Sequence, residues 1–345
     1  MSDTNGSTWR MPAETAPHER TWMAFPPTTP SLGDTAEDID VARRVWAETA
    51  HAVLAFEPVT MVVDPDDVAV ARRMLSSEIE LVEQPLDDAW MRDIGLTFVL
   101  DEAGRLGGVD WTFNGWGGQE WASWDRDSKV AAAMVDFAGC VHLPSSLVNE
   151  GGGIHVDGQG TALVTETVQL DPGRNPGLTK ADVERELAAK IGARRVVWLR
   201  RGLTRDYEEL GTRGHVDIVA TMPTPGTVLV HDQRDPAHPD HEVTAEVVHL
   251  LQGEGFEVVR IPAPATLRDD GGFVDYSYVN HVVTNGGVVA CTFADPHDDE
   301  ALDVLRSVYP GREVVGVDAR EVFARGGGLH CITQQQPARR ALIPG

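Results

Sequence analysis

Four short segments of the chain bring glycines together with ionisable side chains. They are Trp90-Met-Arg-Asp93, Glu150-Gly-Gly-Gly-Ile-His155-Val-Asp157, Gly214-His215-Val-Asp217 and Gly326-Gly-Gly-Leu-His330-Cys331. Residues i and i+2 of a strand face the same way, so His215 is expected beside Asp217, and His155 beside Asp157, on strands. Glycine before a polar residue lets backbone or ligand approach closely. Of the three cysteines, Cys140 and Cys291 sit in apolar strand contexts that suit small buried hydrophobes. Cys331 follows a glycine run and a histidine, a context that suits a nucleophile. A histidine near an aspartate is also a common structural pair. Two such pairs with a cysteine are a zinc alternative, although their spacing is not that of structural zinc sites.

The rest of the chain removes other chemistries. Lys129, Lys180 and Lys190 are its only lysines, and none lies in a Gly-x-x-x-x-Gly-Lys-Ser/Thr phosphate loop or a Schiff-base motif. No Cys-x-x-Cys occurs, His241-Glu242 meets Ala245 where a zincin needs its second histidine, and no serine occupies a Gly-x-Ser-x-Gly elbow. What remains is cysteine, histidine and carboxylate chemistry. The net charge of −25 repels phosphate backbones, so nucleic acid is not an expected partner and a small cation is. No apolar run approaches the ~18 residues a bilayer requires, so no membrane partner is expected. The first residues, Met1-Ser-Asp-Thr-Asn-Gly6, carry neither a basic nor an apolar signal region, and a cytoplasmic location is expected.

These residues need elements to position them. Apolar periodicity predicts helices over 35–56, 66–75, 127–138, 180–191, 240–252 and 298–307, with Thr179 and Asp182 capping the fourth. Single strands are predicted at 59–63, 79–84, 141–143, 195–199, 256–261 and 313–317. Hairpins are predicted at 96–113, 154–166, 215–231 and 278–293, and a last strand at 329–334. A hairpin-helix-strand unit therefore recurs about every 60 residues, and the N-terminal helix and strand complete the last one. Five such units fit a closed ring; a doubly wound sheet with hairpin excursions is the alternative. No linker divides the chain, so one domain over 1–345 is expected.

The motifs occur in an order that resembles a known family. Trp22-Met-Ala-Phe-Pro26, Trp90-Met-Arg-Asp-Ile-Gly95, Gly108-Val-Asp-Trp111, Phe113-Asn-Gly-Trp-Gly-Gly118, Glu150-Gly-Gly, Ile154-His-Val-Asp-Gly158, Gly214-His-Val-Asp217 and His330-Cys-Ile-Thr-Gln-Gln-Gln-Pro337 together resemble the agmatine deiminases, of the pentein or guanidine-modifying superfamily. The resemblance implies an α/β fold, a five-bladed propeller of repeated ββαβ units with pseudo-fivefold symmetry. It implies hydrolysis of agmatine to N-carbamoylputrescine and ammonia through a covalent cysteine amidino-thioester, without metal or organic cofactor. It assigns Cys331 as nucleophile, His215 as general acid/base and Glu150 as the carboxylate that orients the histidine. Asp93 and Asp217 would grip the guanidinium, with Trp90 beside them in substrate binding, and a homodimer is the assembly it suggests.

The chain also departs from the family's pattern. Ile218 stands where asparagine is usual, Arg205–Arg213 replaces a Gly-Asp-Glu-Thr-Asn stretch, and His281 replaces an aromatic after Tyr278-Val-Asn280. Gly328 and Leu329 take the places of asparagine and isoleucine before His330-Cys331. These departures leave open another guanidino substrate, amidino transfer to an amine, or a protein that binds guanidines without turnover. Such a binder needs only the aspartates, whereas this chain also carries Cys331, His215 and Glu150. Asp206, Glu208 and Glu209 are the expected source of an acidic field that prefers the agmatine dication to arginine.

Overall fold

One connectivity recurs along the chain: a hairpin, then a helix, then a strand parallel to the hairpin's second strand. The computed structural model describes residues 8–29, 32–33 and 35–339. The first unit has Thr97–Asp101 antiparallel to Leu106–Thr112, helix Val130–Ala138, and Val141–Val148 parallel to Leu106–Thr112. The second pairs His155–Val156 with Thr161–Thr165, and after helix Lys180–Ile191 adds Arg195–Leu199. The third pairs Ala220–Thr224 with Thr227–Asp232, and after helix Asp240–Gly253 adds Glu257–Pro262. The fourth pairs Val282–Val283 with Gly287–Thr292, and after helix Asp298–Val308 adds Glu313–Asp318.

The fifth unit is made from both ends of the chain. Strand Thr333–Pro337 pairs antiparallel with His18–Ala24, and Trp22 Nε1 donates to Gln336 Oε1 at 2.8 Å. Helix Ala36–Leu54 leads to Val59–Val63, parallel to His18–Ala24, and a further strand Glu80–Glu83 extends the sheet. Val59–Val63 is buried throughout, as a strand covered on both faces should be. Helix Lys180–Ile191 starts in a reciprocal capping box between Thr179 and Asp182 and ends at Gly192, whose φ of +71° glycine accepts without strain. Trp22, Trp46, Phe25, Tyr278 and Tyr309 are among the largest fully buried side chains. No helix among the described residues is long and apolar enough to cross a membrane.

The elements fall close to their expected ranges, with four informative exceptions. Residues 215–219 do not extend the third hairpin; Val216–Ile218 forms a tight 3-10 turn. The last strand begins at Thr333 rather than 329, which leaves Cys331 in the turn before it. Val141–Val148 runs well beyond the predicted three residues. The fourth hairpin's first strand is only Val282–Val283, while residues 278–281 form a turn. In the first case the cause is visible: the His215 N–H is bound by Asp206 Oδ2 and is withdrawn from any ladder. The short N-terminal segment read for a signal lies outside the described residues.

Candidate active site

The segments just before each unit's first strand converge. Asp93 lies on the helical turn Met91–Ile94 before Thr97, Glu150 precedes the Gly151–Gly153 turn before His155, and His215 and Asp217 precede Ala220. Asn280 precedes Val282, and Cys331 precedes Thr333. Glycines permit this approach. A methyl at Gly152 would lie 2.5 Å from His215 Nδ1 and 3.1 Å from both Asp217 Oδ2 and Asp93 Oδ1, and one at Gly151 would strike the Arg92 carbonyl at 2.2 Å. The fifth segment is tied to the first by Arg92, whose N–H donates to Cys331 O at 3.1 Å and whose Nε donates to His330 O at 3.3 Å.

The side chains form a connected set. Glu150 Oε2 lies 3.1 Å from His215 Nε2, and Arg174 Nε donates to both Glu150 oxygens at 3.0 Å. Asp93 accepts from Gly152 N at 3.0 Å and from Trp116 Nε1 at 2.9 Å. Trp116 holds its indole there with a φ of +54°, a strained region for a bulky residue. Asp217 Oδ2 lies 2.8 Å from His330 Nδ1 and 3.5 Å from Cys331 Sγ, and His330 Nε2 lies 2.8 Å from Glu14. Two buried polar atoms, His215 Nδ1 and Asp217 Oδ1, have no hydrogen-bond partner among the described residues. Buried groups of this kind are normally satisfied, so they mark where a polar ligand would sit.

Burial and charge oppose each other at His215, Glu150 and Asp217 and act together on the Cys331 thiol. Burial disfavours the charged imidazole of His215, yet Asp93, Glu150 and Asp217 outweigh it and push its pKa up to about 9. Burial likewise opposes the Glu150 carboxylate, but Arg174 and His215 bring it down to about 2. Asp93 is raised by burial and by the charges of Glu150 and Asp217. Asp217 is lowered, its burial overcome by the bond and charge of His330. Burial, then Asp217 and Asp93, hold the Cys331 thiol well above its ordinary value. A cation placed between the two aspartates would reverse that last effect.

Two small adjoining pockets share Thr212, Gly326 and Cys331 and form the two lobes of one cavity. Trp90, Asp93, Trp116 and Trp121 line one; Asp206, His215, Asp217 and Asp275 line the other. Trp116 and Trp121 are stacked with centroids 5.2 Å apart, and Trp90 packs edge-on against Trp46. All six residues singled out for the site, Cys331, His215, Glu150, Asp93, Asp217 and Trp90, are thus brought together. Among the described residues no group of three or more His, Cys, Asp or Glu is arranged to hold a metal ion.

Other expectations are corrected. His155 and Asp157 do not share a strand face: Asp157 accepts from Gln159 N and Thr161 N in the hairpin turn, and His155 Nε2 bonds Thr221. Asp206 is no free acidic mouth. Its carboxylate takes the N–H groups of Thr212, Gly214 and His215 at 2.7, 2.7 and 3.0 Å, fixing the loop above His215. Glu208 and Glu209 point to solvent. Sequence reasoning missed Arg174, Asn280, Asp275 and the Glu14–His330 pair. Arg174 lies in an Asp-Pro-Gly-Arg-Asn-Pro loop, a stretch with no signal for a buried arginine.

Fold and site together define a pentein: an α/β chain of repeated units around a cysteine-centred polar site. The profile of the Porphyromonas-type peptidyl-arginine deiminase family matches residues 10–337, and the chain belongs to that family and, within it, to the agmatine deiminases. A Streptomyces coelicolor protein provisionally named agmatine deiminase is 55% identical over 96% of this chain and 99% of its own. The agmatine deiminase of Stutzerimonas stutzeri is 39% identical over 95% of each chain. The solved agmatine deiminase of Enterococcus faecalis superimposes with a TM-score of 0.91 at 33% identity, covering 98% of this chain and 100% of that one.

Proposed function

We propose that this chain hydrolyses agmatine to N-carbamoylputrescine and ammonia. The observation that carries the reading is the convergence of a cysteine, a carboxylate-held histidine with a free Nδ1, and two buried aspartates on one aromatic-walled cavity. A guanidinium is planar and rich in N–H donors, and Asp93 and Asp217 offer it two carboxylates in fork geometry. Its charge offsets their repulsion of the thiolate. As the cation binds, the Cys331 thiol loses its proton to solvent; Sγ attacks the guanidinium carbon, and protonated His215 passes its Nδ1 proton to the departing amine. Ammonia leaves and an S-alkylamidino-thioester remains. The now neutral His215 takes a proton from water, hydroxide adds to the same carbon, and collapse expels thiolate while the hydroxyl proton passes to solvent, leaving the ureido product.

Agmatine's second cation requires a nearby carboxylate, because a distant field is screened over about 8 Å at physiological salt. Asp275, on the wall that carries His215 and Asp217, supplies it in place of Glu208 and Glu209. Burial and the neighbouring Asp206 push its pKa up to about 7, and an ammonium beside it would favour its ionised form. Asp275→Asn is expected to lower kcat/KM for agmatine about tenfold or more, the worth of one charge-assisted hydrogen bond, and to spare an alkylguanidine with an uncharged tail.

The same reading takes the described units as five blades closed around the site, within a single domain over 1–345. It places the enzyme in the cytoplasm, a compartment that suits its three free cysteines, and as a homodimer, for which sedimentation is the check. Ammonia release across a panel of guanidino compounds tests the activity. Agmatine should lead and Cys331→Ser should release none. Faster turnover of arginine would overturn the substrate, and wild-type activity in the serine variant would overturn the covalent route.

A further inference from the structure

Four of the five convergent segments deliver a group with a role in the chemistry above: Asp93, Glu150, the His215–Asp217 pair and Cys331. The fourth segment, just before Val282–Val283, delivers Asn280, which is fully buried. Its amide orientation is fixed by the backbone. The His330 N–H, which can only donate, meets Asn280 Oδ1 at 2.9 Å, so the NH₂ end must face the other way. That end lies 3.3 Å from Cys331 Sγ and 3.3 Å from the Asp217 carbonyl, while Oδ1 stands 3.6 Å from the sulfur as an acceptor for the thiol. The Gly328 N–H approaches the same sulfur at 3.4 Å. A methyl at Gly328 would stand 2.4 Å from Asn280 Oδ1, so the two residues are closely packed here.

We infer that Asn280, through its side-chain NH₂ and together with the Gly328 N–H, is a catalytic residue that stabilises the Cys331 thiolate as it forms and when it is expelled. The need for such donors is set by the neighbours. Asp217 Oδ2 lies 3.5 Å from the sulfur, where it accepts the thiol proton but repels the thiolate. Two N–H groups aimed at the sulfur answer that repulsion from within the protein, before and after the cationic substrate is present. The same donors favour thiolate as the leaving group when the second tetrahedral adduct collapses. No proton is transferred by Asn280; it donates hydrogen bonds only.

The inference rests on Cys331 being the nucleophile, and its test does not depend on which guanidine is consumed. Alkylation of Cys331 by iodoacetamide, followed peptide by peptide by mass spectrometry from about pH 6 to 10, reads the thiolate directly. Asn280→Asp keeps the acceptor for His330 N and replaces the donor by a carboxylate oxygen; Asn280→Ala removes the amide. Both should move the alkylation midpoint upward by about one pH unit or more and lower kcat for agmatine about 100-fold, with KM changed far less. An unchanged midpoint in either folded variant overturns the proposal, even if the melting temperature falls, because a merely structural role would move only the latter. If neither variant folds, the wild-type protein decides: the Asn280 side-chain N–H resonances should titrate with the alkylation midpoint of Cys331, and their failure to do so overturns the proposal. Wild-type protein that alkylates as expected but releases no ammonia would overturn the agmatine reading instead.

Discussion

Two buried residues show what sustains the site. Arg174 is the cation that lets Glu150 remain ionised at zero exposure, and Glu150 in turn holds His215 Nε2 so that Nδ1 is left for chemistry. Removing one partner of a buried pair typically costs about 3–5 kcal/mol, since the other charge is left uncompensated. Arg174→Met should therefore lower thermal stability by roughly that amount and reduce kcat. Glu150 is depressed in the folded state, so its contribution to stability is present above the unfolded carboxylate value of about 4.3 and is lost as pH falls toward about 2. In Arg174→Met the acid unfolding midpoint should shift to higher pH; an unshifted midpoint would contradict this pairing. His215 has the opposite sign. Its raised pKa gives a contribution complete below about pH 6.5 and lost as pH rises through about 9. Asp93 leads the charges that raise it, so NMR titration of the ring in Asp93→Asn should give a lower midpoint than in the wild type.

At the scale of elements, short turns carry the chemistry and regular strands carry the turns. The Glu150-Gly-Gly-Gly turn is the tightest case, because three functional atoms surround the missing side chain of Gly152. Gly152→Ala should reduce turnover at least as severely as loss of His215 orientation, about 100-fold, with helix content by circular dichroism unchanged. Near-normal activity would mean that the turn is not packed as described. The regular elements were legible from periodicity and caps: helix 180–191 and strands 59–63 and 195–199 have the predicted bounds. The turns were not. His-Val-Asp reads as alternating strand, but the Asp206 carboxylate, recruited from an earlier loop, captures the backbone of Thr212–His215 and sets up the 3-10 turn. That bond joins residues far enough apart that no local pattern reveals it.

Across the whole molecule, the pairing of Thr333–Pro337 with His18–Ala24 joins the nucleophile's segment to the N-terminal unit. Truncation after Ile332 would leave His18–Ala24 with one unpaired edge and remove the anchor of Cys331. Such a chain should lose its cooperative melt as well as its activity; a normal melt would show that the fifth sheet is dispensable.

The sequence by itself determined the repeated unit, the ordered motifs and the residue types of a guanidinium site, because these follow from local periodicity and from chemistry that few side chains can perform. It named Cys331, His215, Glu150, Asp93, Asp217 and Trp90; five of them line one cavity, and Glu150 holds His215 from behind it. Only the tertiary structure decided what surrounds them. The two His-x-Asp pairs are alike on paper, yet His215 faces Glu150 whereas His155 is turned to Thr221 and Glu14. Arg174, Asn280 and Asp275 look ordinary in the chain and become partners only when units separated by tens of residues close on one another. Burial then converts their modest interactions into strong ones, since a charge or amide shielded from water has few competitors for its partner.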